Sequence, residues 1–172
     1  MAPKRCLVVL AAACLVAACS DDGGGDDEAA GPGAECPVRP EAVAEELDVA
    51  VDVSSGATPA RCTYVVAAEP PANDEDGPGR VGGRVVVDVR AIGEGDFSAA
   101  LQTVERRSGP TEPLAAGDVS GANRGWVGTV GRAVTVGAAD DQRLVTVVVV
   151  DPSLDAAAAR EAALHIAGEA LS

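Results

Sequence analysis

Alternating apolar and polar positions predict a sheet in the middle and at the end of the chain. The clearest case is residues 83–91. Here Val85, Val87 and Val89 share one face, and they alternate with Val86, Asp88 and Arg90 on the other face. Residues 144–150 (LVTVVVV) form the most hydrophobic run of the mature region. Such a run predicts a central strand covered on both faces.

Further strand patterns lie on either side of these two. Residues 61–68 predict a strand with Cys62 and Tyr64 on one face, and residues 125–136 alternate apolar residues with frequent glycines. The sequence Ala-Ala-Asp-Asp at residues 138–141 predicts a hairpin turn. Connections are expected at residues 70–79, a polar loop, and at residues 109–123.

Three helices are predicted from apolar residues three or four positions apart. Pro40 suits the first position of a short helix that continues to residue 47, and Asp96 is the predicted N-cap of a helix to about residue 107. Asp151, followed by Pro152, is the predicted start of the last helix. The inward-facing residues are Val43 and Leu47 in the first helix, Phe97, Ala100, Leu101 and Val104 in the second, and Ala163, Ile166, Ala167 and Ala170 in the last.

The element order is helix, strands, helix, strands, helix, with short turns between neighbouring strands. Short turns favour antiparallel pairing. We therefore expect the α+β class, a single domain with a mostly antiparallel sheet of about five or six strands and helices packed on it. The length of 172 residues allows one such domain with a tail.

The N-terminus has the features of an export signal. Lys4 and Arg5 precede an uninterrupted apolar run of 13 residues, 6–18. At a helical rise of 1.5 Å per residue such a run covers only about 20 Å, less than the ~30 Å hydrocarbon core of a bilayer. The run is therefore interpreted as a signal peptide and not as a permanent membrane span.

The end of that run resembles the lipobox of bacterial lipoproteins, matched at Val16, Ala17, Ala18 and Cys19. In that family the Cys thiol receives a diacylglyceryl group before cleavage, and two or more acyl chains hold a protein lastingly at a membrane. The resemblance implies lipidation at Cys19 and attachment to the extracytoplasmic face of the cell membrane.

Two alternatives to this anchor remain open. Val16 and Ala18 also satisfy the small-residue rule of ordinary secretion, which would leave Cys19 as a free thiol. Cys14 follows three alanines and is a second candidate for the lipid, although cleavage there would shorten the apolar run.

Cleavage before Cys19 defines three regions: a signal peptide at 1–18, a tether at 19–35 and a folded domain at 36–172. The tether is rich in Asp and Gly and has little to bury, so we expect a flexible, solvated segment. Two cysteines, Cys36 and Cys62, remain in the exported domain. An oxidising compartment favours a disulfide between them, and two reduced buried thiols are the alternative.

Composition excludes several classes of function. Acidic residues outnumber basic ones 27 to 13, a net charge of −14, which would repel nucleic acid. With His165 as the single histidine, no multi-histidine metal site is possible, and we expect no metal and no cofactor. The Gly-x-Gly-x-x-Gly match at 77–82 follows a polar loop and precedes a strand, the wrong context for a dinucleotide.

Two residues allow two interpretations each. His165 could serve as a general base, but it lies with Glu161 and Glu169 on the polar side of the last helix, so a surface position is predicted. Trp126 could be an exposed anchor for a partner, and a core position is favoured.

The mature region resembles a group of small lipoproteins of unknown function from high-GC Gram-positive bacteria. The resemblance is carried by Cys36-Pro37, by the helix PEAVAEEL, by Cys62-Thr63-Tyr64, by the strand series GANRGWVGTV, VTV and RLVTVVVV, and by the closing Ala-rich helix. It implies an envelope lipoprotein with one disulfide, and it implies no activity.

Three functions are therefore carried forward. The first is a non-catalytic, lipid-anchored module that binds an envelope protein, a cell-wall component or a small ligand. The second is an envelope hydrolase that uses surface carboxylates. The third is a sensor-type domain, which predicts a ligand groove between sheet and helix.

Overall fold

The structure, a computed structural model, describes residues 36–68, 81–93 and 95–172. The signal peptide, its lipobox and the tether lie outside the described residues, and so does the polar loop predicted at 70–79.

The strands form one antiparallel sheet with the order β1-β2-β3-β7-β6-β5-β4. They are β1 Val51–Val53, β2 Arg61–Val66, β3 Gly83–Ala91, β4 Thr111–Pro113, β5 Arg124–Val130, β6 Ala133–Ala139 and β7 Arg143–Val150. The α+β class is confirmed. Within the described residues the sheet has seven strands, against the five or six expected, because β1 and β4, each only three residues long, pair at its two edges.

The helices in the part of the chain that the structure describes are α1 Pro40–Leu47, α2 Asp96–Ser108 and α3 Ala156–Leu171. Pro40 occupies the first turn of α1, as predicted, since its missing N–H has no helical partner there. None of the helices in the described ranges is long and apolar enough to span a bilayer.

The start of the last helix was predicted wrongly. Asp155, and not Asp151, is the N-cap, because its carboxylate accepts a hydrogen bond of 2.8 Å from the N–H of Ala158. Asp151 is buried in the preceding turn, where it accepts from the N–H of Ser153 at 2.8 Å.

The cap of α2 also differs from the prediction. Asp96 is the first helical residue, and Gly95 occupies the cap position. The carboxylate of Asp96 accepts from the N–H of Gly93 at 2.6 Å, so it fixes the turn that leads into the helix.

The hairpin before β7 lies later than predicted. Ala138 and Ala139 are still in β6, and the turn begins at Asp140. The carboxylate of Asp140 accepts from the N–H groups of Gln142 and Arg143, at 2.7 and 2.6 Å. A short acidic side chain thus supplies the acceptors that the turn needs.

One face of the sheet holds the main core. The valines of β3 and β7 that point to this face are buried except for Val89, which is half-buried, and α3 packs on β6 and β7. The predicted inward side of α3 is confirmed, because Ala163, Ile166 and Ala167 are fully buried. The small alanines let the helix approach the valine face closely.

The prediction for β7 is confirmed in position and only partly in burial. β7 is the middle strand of the sheet. Val145, Val147 and Val149 are buried in the main core, but Thr146 and Val148 on the opposite face are only half-buried. The second face of the sheet is therefore incompletely covered.

Two links fasten the start of the domain to β2. The predicted disulfide between Cys36 and Cys62 is present. The hydroxyl of buried Tyr64 donates to the carbonyl of Val38 at 2.5 Å. Burial raises the pKa of Tyr64 to about 12 despite this hydrogen bond, so the phenol keeps its donor proton at physiological pH.

The disulfide predicts a measurable change in stability. It closes a loop with a sequence separation of 26 residues. In the chain-entropy model such a loop contributes about 3.5 kcal/mol by restricting the unfolded chain. Reduction should therefore lower the melting temperature by roughly 10 °C.

Melting curves followed by circular dichroism, with and without reductant, measure this shift. The Cys36→Ser/Cys62→Ser variant is the control and should melt at the same temperature in both conditions. Equal melting curves for the oxidised and reduced wild type would contradict the prediction.

Candidate functional site

A row of side chains crosses the second face of the sheet, opposite the valine core. Arg61 pairs with Asp88 in the β2–β3 ladder, and Asp88 pairs with Thr146 of β7. Thr146 pairs with Gly137 of β6, and Gly137 pairs with Trp126 of β5. Directly paired residues share a face of the sheet, so these five positions form one continuous row.

Helix α2 covers only part of this face. It packs on β4 and β5, and its residues Phe97 and Ala100 join Ala139 and Leu144 in a small apolar cluster. The predicted inward stripe of α2 is therefore confirmed in part, since Ala100 is buried and Phe97, Leu101 and Val104 are half-buried.

A cavity of about 340 Å³ lies between α2 and the uncovered part of the sheet. This volume is at the lower end of the range typical of small-molecule sites, roughly 300–1,000 Å³. The lining combines charged, hydroxyl and apolar side chains from four strands and one helix. These are Arg61, Val86, Asp88, Arg90, Asp96, Ala99, Ala100, Thr103, Val104, Trp126, Thr146 and Val148.

Trp126 occupies the buried end of the row. The core position favoured by the sequence is confirmed, because the side chain is only 1% exposed. Its indole lies directly over Gly137, where an added Cβ would come within 2.2 Å of ring carbon Cε2. Any side chain at position 137 would therefore displace the ring.

The indole N–H of Trp126 lacks an acceptor. Nε1 is buried and has no hydrogen-bond partner within the described ranges. Leaving a buried donor unpaired costs about 1–3 kcal/mol. Trp126 contributes to the cavity wall, but Nε1 itself is buried over Gly137, so a molecule bound in the cavity does not reach its N–H.

The open end of the row is charged. Arg61 and Arg90 are exposed, Asp88 is half-buried, and all three line the cavity. In residues 36–68, 81–93 and 95–172 none of these three side chains forms an ion pair or a hydrogen bond. The carboxylate of Asp96, by contrast, is engaged by Gly93.

A second, smaller cavity of about 260 Å³ lies on the other side of the molecule, near His165. The predicted surface position of His165 is confirmed, since its side chain is 56% exposed. Its Nδ1 lies 2.8 Å from a carboxylate oxygen of Glu46 and so links α3 to α1. Ser120 lines this cavity, but the described part of the chain shows no serine hydroxyl bonded to the imidazole.

The residues that the sequence assigned to the disulfide and to the lipid anchor are not part of this site, whereas Trp126 is. Cys36 and Cys62 come together, but Cys62 is buried in the valine core on the opposite face. Val16, Ala17, Ala18 and Cys19 lie outside the described residues. Among the residues that the structure describes, no group of three or more His, Cys, Asp or Glu side chains is placed to hold a metal ion.

The packing of Trp126 on Gly137 predicts the effect of a single methyl group. Gly137→Ala should destabilise the domain by about 2 kcal/mol or more, because the new Cβ forces the indole out of its place. Gly128→Ala on β5 is the matched control, because its Cβ would meet Thr111 at an ordinary 3.4 Å. Urea unfolding measures both free energies.

A double-mutant cycle isolates the contact. If the indole is the cause, the cost of Gly137→Ala should largely disappear in a Trp126→Leu background. Equal costs for Gly137→Ala and Gly128→Ala, or an unchanged cost without the indole, would contradict this account.

Comparison with known protein families, with curated proteins and with solved structures finds no significant match for this chain. The functional argument therefore depends on the chemistry of the cavity itself.

Proposed function

We propose that the protein is a non-catalytic, lipid-anchored binding module on the extracytoplasmic face of the membrane, and that its domain holds a small ligand between α2 and the sheet. The sequence left three kinds of binding partner open: an envelope protein, a cell-wall component or a small ligand. A small ligand fits the cavity best, because the cavity volume of about 340 Å³ is too small for a protein segment with its own core.

The anchor is supported by the start of the chain. The basic residues Lys4 and Arg5, the apolar run at 6–18 and Cys19 follow each other in the order that a lipoprotein signal requires. The Cys36–Cys62 disulfide is a second support, since disulfides form and persist in oxidising compartments outside the cytoplasm.

The binding function is carried by one observation, the cavity between α2 and the sheet with Arg61, Asp88 and Arg90 in its lining. Within the described ranges, none of these three side chains forms an ion pair. Charged side chains left unpaired at the wall of a cavity are available to the charged groups of a ligand. Apolar walls with a few convergent polar groups are also the usual composition of a binding site.

The absence of catalysis is part of the same proposal. Hydrolysis by carboxylates needs two of them, one on each side of the bond that breaks. Of the two carboxylates in the lining of the cavity, that of Asp96 is engaged by the N–H of Gly93, which leaves Asp88. The exposed pair of His165 and Glu46 is sufficiently explained as a contact that holds α3 against α1.

The anchor is tested by replacing the lipid acceptor. The Cys19→Ala variant should move from the membrane fraction to the medium or to the unprocessed precursor, because no thiol remains to take the lipid. Fractionation and immunoblotting measure this redistribution. Cys14→Ala is the matched control and should stay at the membrane with an unchanged mature mass. Membrane retention of processed Cys19→Ala protein would contradict the anchor.

The cavity is tested by native mass spectrometry of the full chain purified in detergent. We expect a small-molecule adduct on the wild type and its loss in Ala99→Phe, since Ala99 lines the cavity from α2 and a phenyl group there would fill it. Ser98→Phe is the control, because Ser98 is equally exposed on α2 and does not line the cavity. An adduct that survives in Ala99→Phe would place the ligand elsewhere.

A further inference from the structure

The charged end of the cavity has an unusual arrangement around Asp88. Arg61 is its direct neighbour on β2, and Arg90 follows two residues later on the same face of β3. Side chains at such positions are about 5 and 7 Å apart at their Cβ atoms. Asp88 thus has one arginine as its cross-strand neighbour and a second as its next same-face neighbour on β3, and all three line one cavity.

These three side chains are not satisfied by each other. Opposite charges at directly paired strand positions attract each other, although an exposed pair contributes little. Here, in the described ranges, Arg61, Asp88 and Arg90 form no ion pair, although every one of them lines the cavity. Two donors for a carboxylate and one acceptor for a cation are therefore available side by side.

The opposite end of the cavity is apolar. Val86 and Val148 line it from the sheet, Val104 lines it from α2, and Trp126 closes its buried side. A volume of about 340 Å³ lies within the range of small-molecule sites, roughly 300–1,000 Å³, so the cavity has room for a small organic molecule.

The charge of the whole chain bears on the choice of ligand. A net charge of −14 repels a ligand that is itself an anion, even where two arginines attract it locally. A molecule with one positive and one negative group has no net charge to repel. It can use Arg61, Arg90 and Asp88 together.

We propose that the cavity recognises a free α-amino acid with an apolar side chain. Its carboxylate binds Arg61 and Arg90, its ammonium binds Asp88, and its side chain packs between Val86, Val148 and the indole. The inference rests on the proposed ligand-binding function and adds the chemical class of the ligand.

Calorimetry of the full chain in detergent tests this class with L-leucine, L-valine and L-phenylalanine as probes. At least one of the three amino acids should bind. The N-acetyl and carboxamide derivatives of the tightest binder should bind at least about 10-fold more weakly, because each derivative lacks one charge. Arg61→Gln and Asp88→Asn should each lower the affinity for the amino acid by roughly 10- to 100-fold, because each substitution removes a charged hydrogen bond.

Arg39→Gln is the matched control, because Arg39 is exposed beside α1, does not line the cavity, and its loss changes the net charge equally. It should leave affinity unchanged. Asp88→Asn should also remove the discrimination between the amino acid and its N-acetyl form. Melting temperatures show that each variant is folded.

The outcomes separate this inference from the function on which it rests. Equal binding of the N-acetyl or carboxamide form, or an unchanged affinity in Asp88→Asn, overturns zwitterion recognition. If no amino acid binds but the mass-spectrometric adduct is present and lost in Ala99→Phe, the ligand class is wrong and the binding function stands. If neither binding nor adduct is seen, both fail.

Discussion

The contact between the indole of Trp126 and Gly137 determines what the second face of the sheet can do. The ring takes the space where a side chain of β6 would otherwise stand, since an added Cβ would lie 2.2 Å from it. The indole therefore forms a wall across the sheet, with α2 on β4 and β5 and the cavity at the β7 and β3 side. Replacing Gly137 by any other residue would change the cavity as well as the core.

One face of the sheet forms the core that stabilises the domain, and the other face lines the candidate binding site. The face of β3 and β7 that carries the odd-numbered valines is closed by the alanines of α3, and each valine buried there contributes roughly 1.5–3 kcal/mol. The second face has Thr146, Gly137 and Asp88 in the same row, which give α2 little apolar surface to pack on. Because the first face supplies the core, the second can keep unpaired polar groups at little risk to the fold.

Local patterns in the sequence predicted the long regular elements well. The bounds of β3 match residues 83–91, because strict alternation of valines with polar residues is a local signal. The start of α3 was ambiguous, because Asp151 and Asp155 are both good caps, and only the three-dimensional turn shows which carboxylate reaches a helix N–H. Strands β1 and β4 were missed because three residues carry almost no periodicity and form a strand only by pairing with β2 and β5.

The candidate site was harder to predict for the same physical reason. Arg61 and Trp126 are far apart in sequence, and they share one row only because four successive strand pairings have matching registers. Register in a sheet is set by long-range pairing, and a shift of one residue would move a side chain to the other face. The groove expected of a sensor-type domain was stated as a possibility, but no pattern in the sequence could place its lining residues.

The five paired residues that cross the second face become more buried from Arg61 to Trp126, so the two ends of the site differ in their exposure to solvent. Arg61 is exposed, Asp88 and Thr146 are half-buried, and Gly137 and Trp126 are buried. Charged groups are inexpensive to keep in water and costly to remove from it, whereas the apolar indole gains from burial. A molecule seated along the row would therefore keep its charges at the β2 and β3 end, in contact with solvent. Its apolar part would displace water from the half-buried side chains of Val86 and Val148, and the removal of that apolar surface from water favours binding.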